Sequence, residues 1–320
     1  MNRLFLLGLI CTAMAACGGG GDGLAGGGTS PAPAAGLKID SANAVVVSKA
    51  SYDAAAGSVE VGTLLTDAGP IAAAPAGSMK AAQQFSKLTS DDIQQALIPV
   101  TEDCLSGSYT VDATLANPFA ISAGDSFNIV FNQCDEGLGE VLNGTLDFTI
   151  DTISGDLAGG MYELQVSMNL TDFQVTTEAD VVTSNGDATV VLDTTNNPLV
   201  LASASGNSLS TDSNASSDTL SNFSSSQSVN AGLDPMPFSW SAGGTLDTTR
   251  LTDTVTYSTP VTFEGFDLDY PYVGELLVAG DSSSARLVAI DSVNIRIDID
   301  SDGDGAVDES IETTWAEFNN

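Results

Sequence analysis

The sequence predicts a mainly β protein with N-terminal helices, in which a long antiparallel meander forms a curved sheet or an open barrel. Three observations predict this class. Apolar and polar residues alternate over many segments after residue 105. Dipeptides that are typical of turns, such as Asn-Gly and Gly-Gly, occur among these segments, and an alanine-rich stretch precedes them. Alternation with a period of two is typical of strands that bury one face and leave the other in water.

Residues 1–16 have the pattern of a secretory signal peptide. Arg3 supplies a basic start, and the apolar run that follows is shorter than the ~20 residues of a membrane-spanning helix. The run ends in Met14-Ala15-Ala16-Cys17, which resembles the lipobox of bacterial lipoproteins. The resemblance implies cleavage before Cys17 and lipidation of that cysteine with acyl chains such as palmitate. The alternative is an ordinary secreted protein that is cut near Ala16.

Residues 17–36 are rich in glycine and proline and predict a flexible tether. Two or three acyl chains hold a protein firmly to a bilayer, so the membrane becomes a partner through the lipid anchor. Gly18 follows the cysteine, and in lipoproteins an aspartate at that place favours retention in the inner membrane. The resemblance therefore implies an outer-membrane lipoprotein on the periplasmic face or the cell surface.

The chain is strongly acidic and contains no histidine. Its formal net charge is −34, from 42 acidic and 8 basic residues. Phosphate contacts need Lys and Arg, so nucleic acid is excluded as an expected partner. The absence of histidine removes Ser-His and Cys-His nucleophiles and imidazole zinc sites. Carboxylate-based hydrolases survive this exclusion, but no pair of acids stands out.

Cys104 and Cys134 are the two cysteines left after the signal peptide and the lipidated residue are set aside. An even pair in an exported protein predicts a disulfide, because the compartment is oxidising.

Residues 37–103 predict a helical segment. Ser41 is placed to cap a first helix with Val45, Val46, Ala50, Ala54 and Ala55 as its apolar stripe, and Gly57 is expected to break it. A second helix is expected from Ser90, with Ile93 and Leu97 on one face, and to end before Pro99.

Residues 104–320 predict an antiparallel β domain that packs with the helices as one unit. Alternation is clearest at residues 127–131, 162–170 and 293–299. Asn185-Gly186 and Gly243-Gly244 are interpreted as turns between strands. Residues 205–230, rich in Ser and Asn, are expected to form either wet strands at a sheet edge or a disordered loop.

A weak internal repeat accompanies the alternation. Leu170-Thr171-Asp172-Phe173 recurs as Leu220-Ser221-Asn222-Phe223. The repeat predicts hairpins of about 50 residues within one sheet; chance similarity in a chain rich in Thr and Asp is the alternative.

The segment 298–309, DIDSDGDGAVDE, resembles the acidic calcium loops of the EF-hand, dockerin and thrombospondin type. Carboxylates at alternate positions surround a hard cation, and a glycine at the sixth position permits a sharp turn. One register begins at Asp298 and places Glu309 twelfth; the other begins at Asp300 and places Asp308 ninth. Strands predicted at residues 293–299 before the segment and 311–318 after it indicate a hairpin loop. The resemblance implies a structural calcium site, against the alternative of a solvated turn, with these candidate ligands: Asp298, Asp300, Asp302, Asp304, Asp308 and Glu309.

Two stretches near the C-terminal side, 235–240 and 263–272, hold many of the aromatic residues. They are expected to plug the end of a sheet, with a ligand or glycan surface as the alternative.

The sequence therefore predicts a non-enzymatic outer-membrane lipoprotein whose β domain binds an amphiphilic ligand or has a structural role. The alternatives are a calcium-stabilised adhesin or glycan-binding module and, behind it, a carboxylate-based hydrolase.

Overall fold

The computed structural model describes residues 36–63 and 99–319, apart from residues 118–120, 136, 138, 157–159, 179 and 268. Helix α1 precedes a fourteen-stranded antiparallel sheet, and a short helix α2 follows it. Every strand pairs with its neighbours in the chain, and the sheet does not close into a barrel. The predicted mainly β class and the long antiparallel meander are confirmed.

The helices are α1 (Ala44–Thr63) and α2 (Trp315–Phe318). The strands are β1 (Val100–Asp103), β2 (Ser106–Thr114), β3 (Ser126–Asp135), β4 (Val141–Asp156), β5 (Met161–Thr176), β6 (Val181–Asp193), β7 (Leu199–Asp212), β8 (Ser217–Asn230), β9 (Pro237–Thr248), β10 (Val255–Phe266), β11 (Val273–Ala279), β12 (Ser284–Ala289), β13 (Asn294–Asp300) and β14 (Glu309–Thr314).

The predicted alternation produces the core. In β3, β5 and β13 the apolar residues of the pattern face inward and the polar residues between them face water. The buried members are Phe127, Ile129, Phe131, Leu164, Val166, Met168, Leu170, Ile295, Ile297 and Ile299. Two apolar residues are exceptions: Val130 of β3 and Val293, which precedes β13, are both exposed.

Helix α1 packs across the inner face of β6–β13. Every residue from Ala54 to Val61 is buried, so the helix is enclosed rather than amphipathic over its second half. The predicted break at Gly57 is therefore wrong: a glycine inside a helix costs about 1 kcal/mol, which this burial outweighs. The predicted stripe is wrong at Val45 and Val46, which are exposed.

The chain enters α1 through a turn that Asp40 organises, and not through a cap at Ser41. The Asp40 carbonyl accepts hydrogen bonds from Asn43 N and Ala44 N, and its carboxylate accepts one from Ala42 N at 2.9 Å. An aspartate side chain accepts hydrogen bonds from the backbone N–H groups at a helix start as well as a serine does, so Asp40 can take the role predicted for Ser41.

The second predicted helix, the signal peptide, Cys17 and the tether up to residue 35 lie outside the described residues. At the other boundary, β1 begins at Val100 and pairs with β2. The sheet thus starts inside the segment predicted as helical.

Asn185-Gly186 lies inside β6 and not in a turn. Asn185 Oδ1 accepts a hydrogen bond from Asp172 N on β5 at 2.7 Å, and Asp172 has a left-handed φ of 48°. The pairing of β5 with β6 shifts register at this point. Gly186 has φ 133°, and a Cβ there would collide with the backbone of Ser208 on β7. The dipeptide therefore supports a β-bulge, which increases the local twist of the sheet.

Gly243-Gly244 lies inside β9, opposite a second bulge on β8, where Asn222 has φ 48°. The two copies of the sequence repeat coincide with these two bulges. The third residue of each copy, Asp172 or Asn222, has the left-handed φ, and the fourth, Phe173 or Phe223, is buried. The copies lie on β5 and β8, three strands apart, so they run in opposite directions. They are not successive hairpins of an array.

Residues 205–230 form the central strands β7 and β8 and the turn between them, so neither predicted alternative is correct. Both strands pair on both sides. Phe223, Ser225, Gln227 and Val229 of β8 face α1 and are buried. Ser225 Oγ donates to the Ser58 carbonyl of α1 at 2.6 Å. The helix thus satisfies the Ser225 hydroxyl of this polar strand, whereas Gln227 Nε2 is buried without a hydrogen-bond partner among the described residues.

Arg250 attaches α1 to the end of the sheet. It donates to Asp53 of α1 at 2.8 Å and to Asp218 of β8 at 3.1 Å. In the sequence no other basic residue lies between Lys87 and Arg286. The guanidinium therefore bridges two carboxylates across the contact between helix and sheet, and Lys49 supplies a second positive charge to Asp53 at 3.3 Å.

Candidate functional site

The acidic segment forms the loop 301–308 between β13 and β14, which pair antiparallel as a hairpin. This confirms the predicted hairpin context. The second strand is shorter than predicted, because it ends at Thr314 and residues 315–318 turn into α2. Thr314 and Glu317 form a reciprocal capping box there, which starts a helix in place of a continuing strand.

Three carboxylates meet in this loop. One oxygen each from Asp300, Asp302 and Asp304 lies within 4.8 Å of the others. Gly303 has φ 76° and Gly305 has φ 88°, so two left-handed residues curl the backbone around the carboxylates. Oxygens at this separation are close enough for one hard cation to contact all three.

Backbone amides hold the carboxylates in place. Asp300 accepts hydrogen bonds from Gly303 N at 2.7 Å and from Gly305 N at 2.9 Å. Asp302 accepts one from Asp304 N, and Asp304 accepts one from Ala306 N at 2.7 Å. The three side chains are ordered by the loop itself, so a cation would meet a partly organised set of ligands.

The other three predicted ligands point to different partners. Asp298 is bound by Arg296 through two hydrogen bonds of 2.7 and 2.8 Å and by Ser310 Oγ. Asp308 accepts from Ser301 N and Ser301 Oγ, and Glu309 lies in β14 opposite Ile299. The three carboxylates that meet are positions 1, 3 and 5 of the register from Asp300 and positions 3, 5 and 7 of the register from Asp298, so they are common to both.

These contacts lower the pKa of two carboxyl groups, those of Asp298 and Asp308. The Arg296 guanidinium, which donates to the carboxylate, holds the pKa of Asp298 below its usual value. Hydrogen bonds from Ser301 lower the pKa of Asp308, and the charge of Lys38 lowers it further. Both residues therefore remain anionic at neutral pH.

The ion pair with Arg296 predicts a pH-dependent contribution to stability. We expect Asp298→Asn to lower the free energy of unfolding by about 1 kcal/mol at pH 7. Because the folded pKa of Asp298 is depressed, its contribution is complete above the unfolded value near 3.9 and is lost as pH falls through the folded value. Urea unfolding of both proteins from pH 7 to pH 2.5 measures this difference. A difference in unfolding free energy between the two proteins that stays constant with pH would contradict the role given to the ion pair between Asp298 and Arg296.

The N-terminal segment reaches the same end of the sheet, which the sequence did not reveal. Asp281 N donates to the Leu37 carbonyl at 2.9 Å, and Ile39 N donates to Ser283 Oγ at 2.8 Å. A Cβ on Gly303 would lie 2.8 Å from the Ser282 carbonyl, so the acidic loop packs closely on the β11–β12 turn. The chain thus enters the domain next to the carboxylates.

The predicted disulfide between Cys104 and Cys134 is present, with a Cα–Cα distance of 5.4 Å. Cys104 lies in the β1–β2 turn and Cys134 is a buried residue of β3. The bond therefore joins the edge of the sheet to its third strand.

Within residues 36–63 and 99–319, no helix is both long enough and apolar enough to cross a membrane. Comparison of the chain with protein-family models, with curated proteins and with solved structures finds no match.

Proposed function

We propose that the protein is a non-enzymatic, lipid-anchored binding module of the outer membrane whose β domain is stabilised by calcium in the β13–β14 loop. The observation that carries the calcium part is that the carboxylates of Asp300, Asp302 and Asp304 lie close together and accept hydrogen bonds from backbone amides of their own loop. The lipobox at Cys17 and the tether support the anchor. This order of segments suits a domain that stands off its membrane.

Electrostatics favours a divalent cation at this loop. Three carboxylates with oxygens within 4.8 Å repel one another, in a chain of net charge −34. Calcium prefers six to eight oxygen ligands, including carbonyls and water, and tolerates irregular geometry. In the register from Asp300, the seventh place is Ala306, where a carbonyl ligand is usual. The ninth, Asp308, is bound to Ser301, and the twelfth, Ile311, carries no carboxylate, so water would have to complete the coordination.

Thermal unfolding tests the proposal with the mature chain carrying Cys17→Ser, so that it is soluble. We expect 2 mM calcium to raise Tm by about 3–6 °C over EDTA, since a ligand at 100 times its Kd adds about 2.7 kcal/mol. Magnesium at matched ionic strength should do less, because it demands octahedral geometry.

Two charge-matched variants separate binding from screening. Asp302→Asn/Asp304→Asn should abolish the calcium-specific rise, and Asp234→Asn/Asp269→Asn, at the opposite end of the sheet, should preserve it. Equal rises with calcium and magnesium in every variant would mean general screening of negative charge and would refute the site.

A second candidate function is the binding of an amphiphile on the inner face of the sheet. Helix α1 packs on β6–β13, whereas the inward-facing Phe127, Phe148 and Val166 belong to β3–β5. These three side chains are already buried, so an amphiphile would reach them only if the part of the domain around them opened. Stoichiometric binding of a fluorescent fatty acid, competed by unlabelled fatty acid, would favour this function.

A further inference from the structure

Three loops lie at the end of the sheet opposite the acidic loop. They are the β8–β9 loop (231–236), residues 267 and 269–272 of the β10–β11 loop and the β12–β13 loop (290–293). Alternate loops of a meander lie at the same end of the sheet. We call these loops, together with Phe266 and Tyr272 at the ends of the β10–β11 connection, the aromatic loop surface.

Hydrogen bonds tie the loops together. Met236 N donates to Asp267 Oδ1, and Asp267 N donates to the Met236 carbonyl, both at 2.8 Å. Trp315, which is fully buried, donates through Nε1 to the Pro271 carbonyl at 3.1 Å and through its backbone N to the Val293 carbonyl at 2.9 Å. The surface is therefore held rigidly by the sheet and by α2.

Large apolar side chains are exposed on all three loops. Their exposed fractions run from 38% to 58%, and they are Leu233, Phe266, Tyr270, Tyr272, Ile290 and Val293. Phe266 stacks on Tyr272 with ring centroids 5.5 Å apart, and Tyr270 stacks on Trp315 at the same distance. Rings fixed in this way lose little conformational entropy on binding a partner.

The charged groups of this surface all have one sign. The three loops contain Asp234, Asp267, Asp269 and Asp291 and no Lys or Arg. Glu264 lies beside the stacked rings, where it accepts a hydrogen bond from Tyr272 Oη at 3.2 Å. Arg296, in the adjacent β13, is occupied by Asp298. Anionic ligands are disfavoured here, and cationic groups are favoured both by the carboxylates and by the faces of the rings.

We infer that the aromatic loop surface binds a partner protein through a segment in which Lys or Arg flanks apolar residues. Apolar side chains of the partner would cover Leu233, Phe266 and Val293, and its cations would meet the surrounding aspartates. An apolar centre within a charged rim is the usual anatomy of a protein interface. The inference deepens the proposed binding role by naming the surface and the partner chemistry, and it does not depend on calcium.

The probe is a fluorescein-labelled 18-residue amphipathic peptide of Leu and Lys, titrated with the mature chain carrying Cys17→Ser and followed by anisotropy. A peptide with Glu in place of every Lys is the control and should not bind. We expect Phe266→Ser/Tyr272→Ser to raise Kd at least tenfold. Leu233→Ser/Val293→Ser should also raise it, and both positions are exposed enough for the fold to be kept, which thermal unfolding checks.

Two charge-matched pairs decide between this surface and general attraction to an acidic protein. Asp234→Asn/Asp269→Asn should weaken binding at least fivefold, and Asp302→Asn/Asp304→Asn should leave it unchanged. Equal weakening by both pairs, or no effect of Phe266→Ser/Tyr272→Ser, would overturn the inference. Binding of a neutral oligosaccharide that the same apolar variants abolish, without peptide binding, would overturn the partner class. The calcium-dependent Tm is measured separately, so failure of the peptide and failure of the calcium site are distinguishable.

Discussion

Trp315→Ala is expected to lower the free energy of unfolding by about 3–5 kcal/mol, the range for truncating a large buried aromatic residue. Trp315 is fully buried and contacts the rings of Tyr52, Phe263, Tyr270 and Phe318. Its Nε1 also donates to the carbonyls of Pro271 and Asp291. The variant thus loses packing between α1, β10 and α2 and leaves two acceptors without their donor. Urea unfolding at constant pH measures the loss.

Trp315→Phe is the matched control. It keeps an aromatic ring but removes the Nε1 donor, so we expect a smaller loss of about 1–2 kcal/mol. Comparison of the two variants separates the loss of unfolding free energy that comes from the missing ring from the loss that comes from the missing hydrogen bonds. A loss below about 1 kcal/mol for Trp315→Ala would show that the ring cluster does not join the helices to the sheet.

Cys104→Ser/Cys134→Ser is expected to lower the free energy of unfolding by about 3–4 kcal/mol. The disulfide closes a separation of 30 residues, and in the chain-entropy model its loss increases the freedom of the unfolded chain by that amount. Its effect should be largest at the β1 edge, since β1 contributes only four residues to the sheet. Denaturant unfolding compared with the oxidised protein measures the change.

Reduction of the unsubstituted chain with a phosphine provides the control, because it removes the bond without changing any residue. Both routes should give the same loss of stability. If the serine variant were destabilised and the reduced protein were not, the cost would come from burying a serine hydroxyl at the position of Cys134 and not from the missing bond.

The sequence predicted the strands well where a strand has one apolar face, as at residues 162–170. It failed where the residue preferences depend on contacts across the sheet. Asn-Gly is the strongest short signal for a hairpin turn, yet Asn185-Gly186 serves a bulge because Asp172 on the neighbouring strand needs its side-chain acceptor. Residues 205–230 looked too polar for a central position, but the sheet pairs them on both sides and the Ser58 carbonyl of α1 accepts the hydrogen bond of the buried Ser225 hydroxyl.

At the acidic loop the sequence identified the acidic segment but not which of its carboxylates lie together. Arg296 and Asp298 are two residues apart on a strand, so they project from the same face, and Asp298 pairs with Arg296 while Asp300, Asp302 and Asp304 form the group in the loop. The spacing of Arg296 and Asp298 is visible in the sequence and could have predicted their ion pair. The approach of Leu37 and Lys38 to the loop had no such signal, because the contact joins residues more than 240 positions apart.

The pairing order of the sheet has a consequence for the assembly of the chain. Each strand needs only its immediate successor to form a hairpin, so the ladder can grow strand by strand with one local connection to close at each step. Helix α1 is made earlier than any strand, but its contacts with β6–β13 await residues that follow it by more than a hundred positions. We therefore expect the first-made element of the domain to be the last to be locked into place.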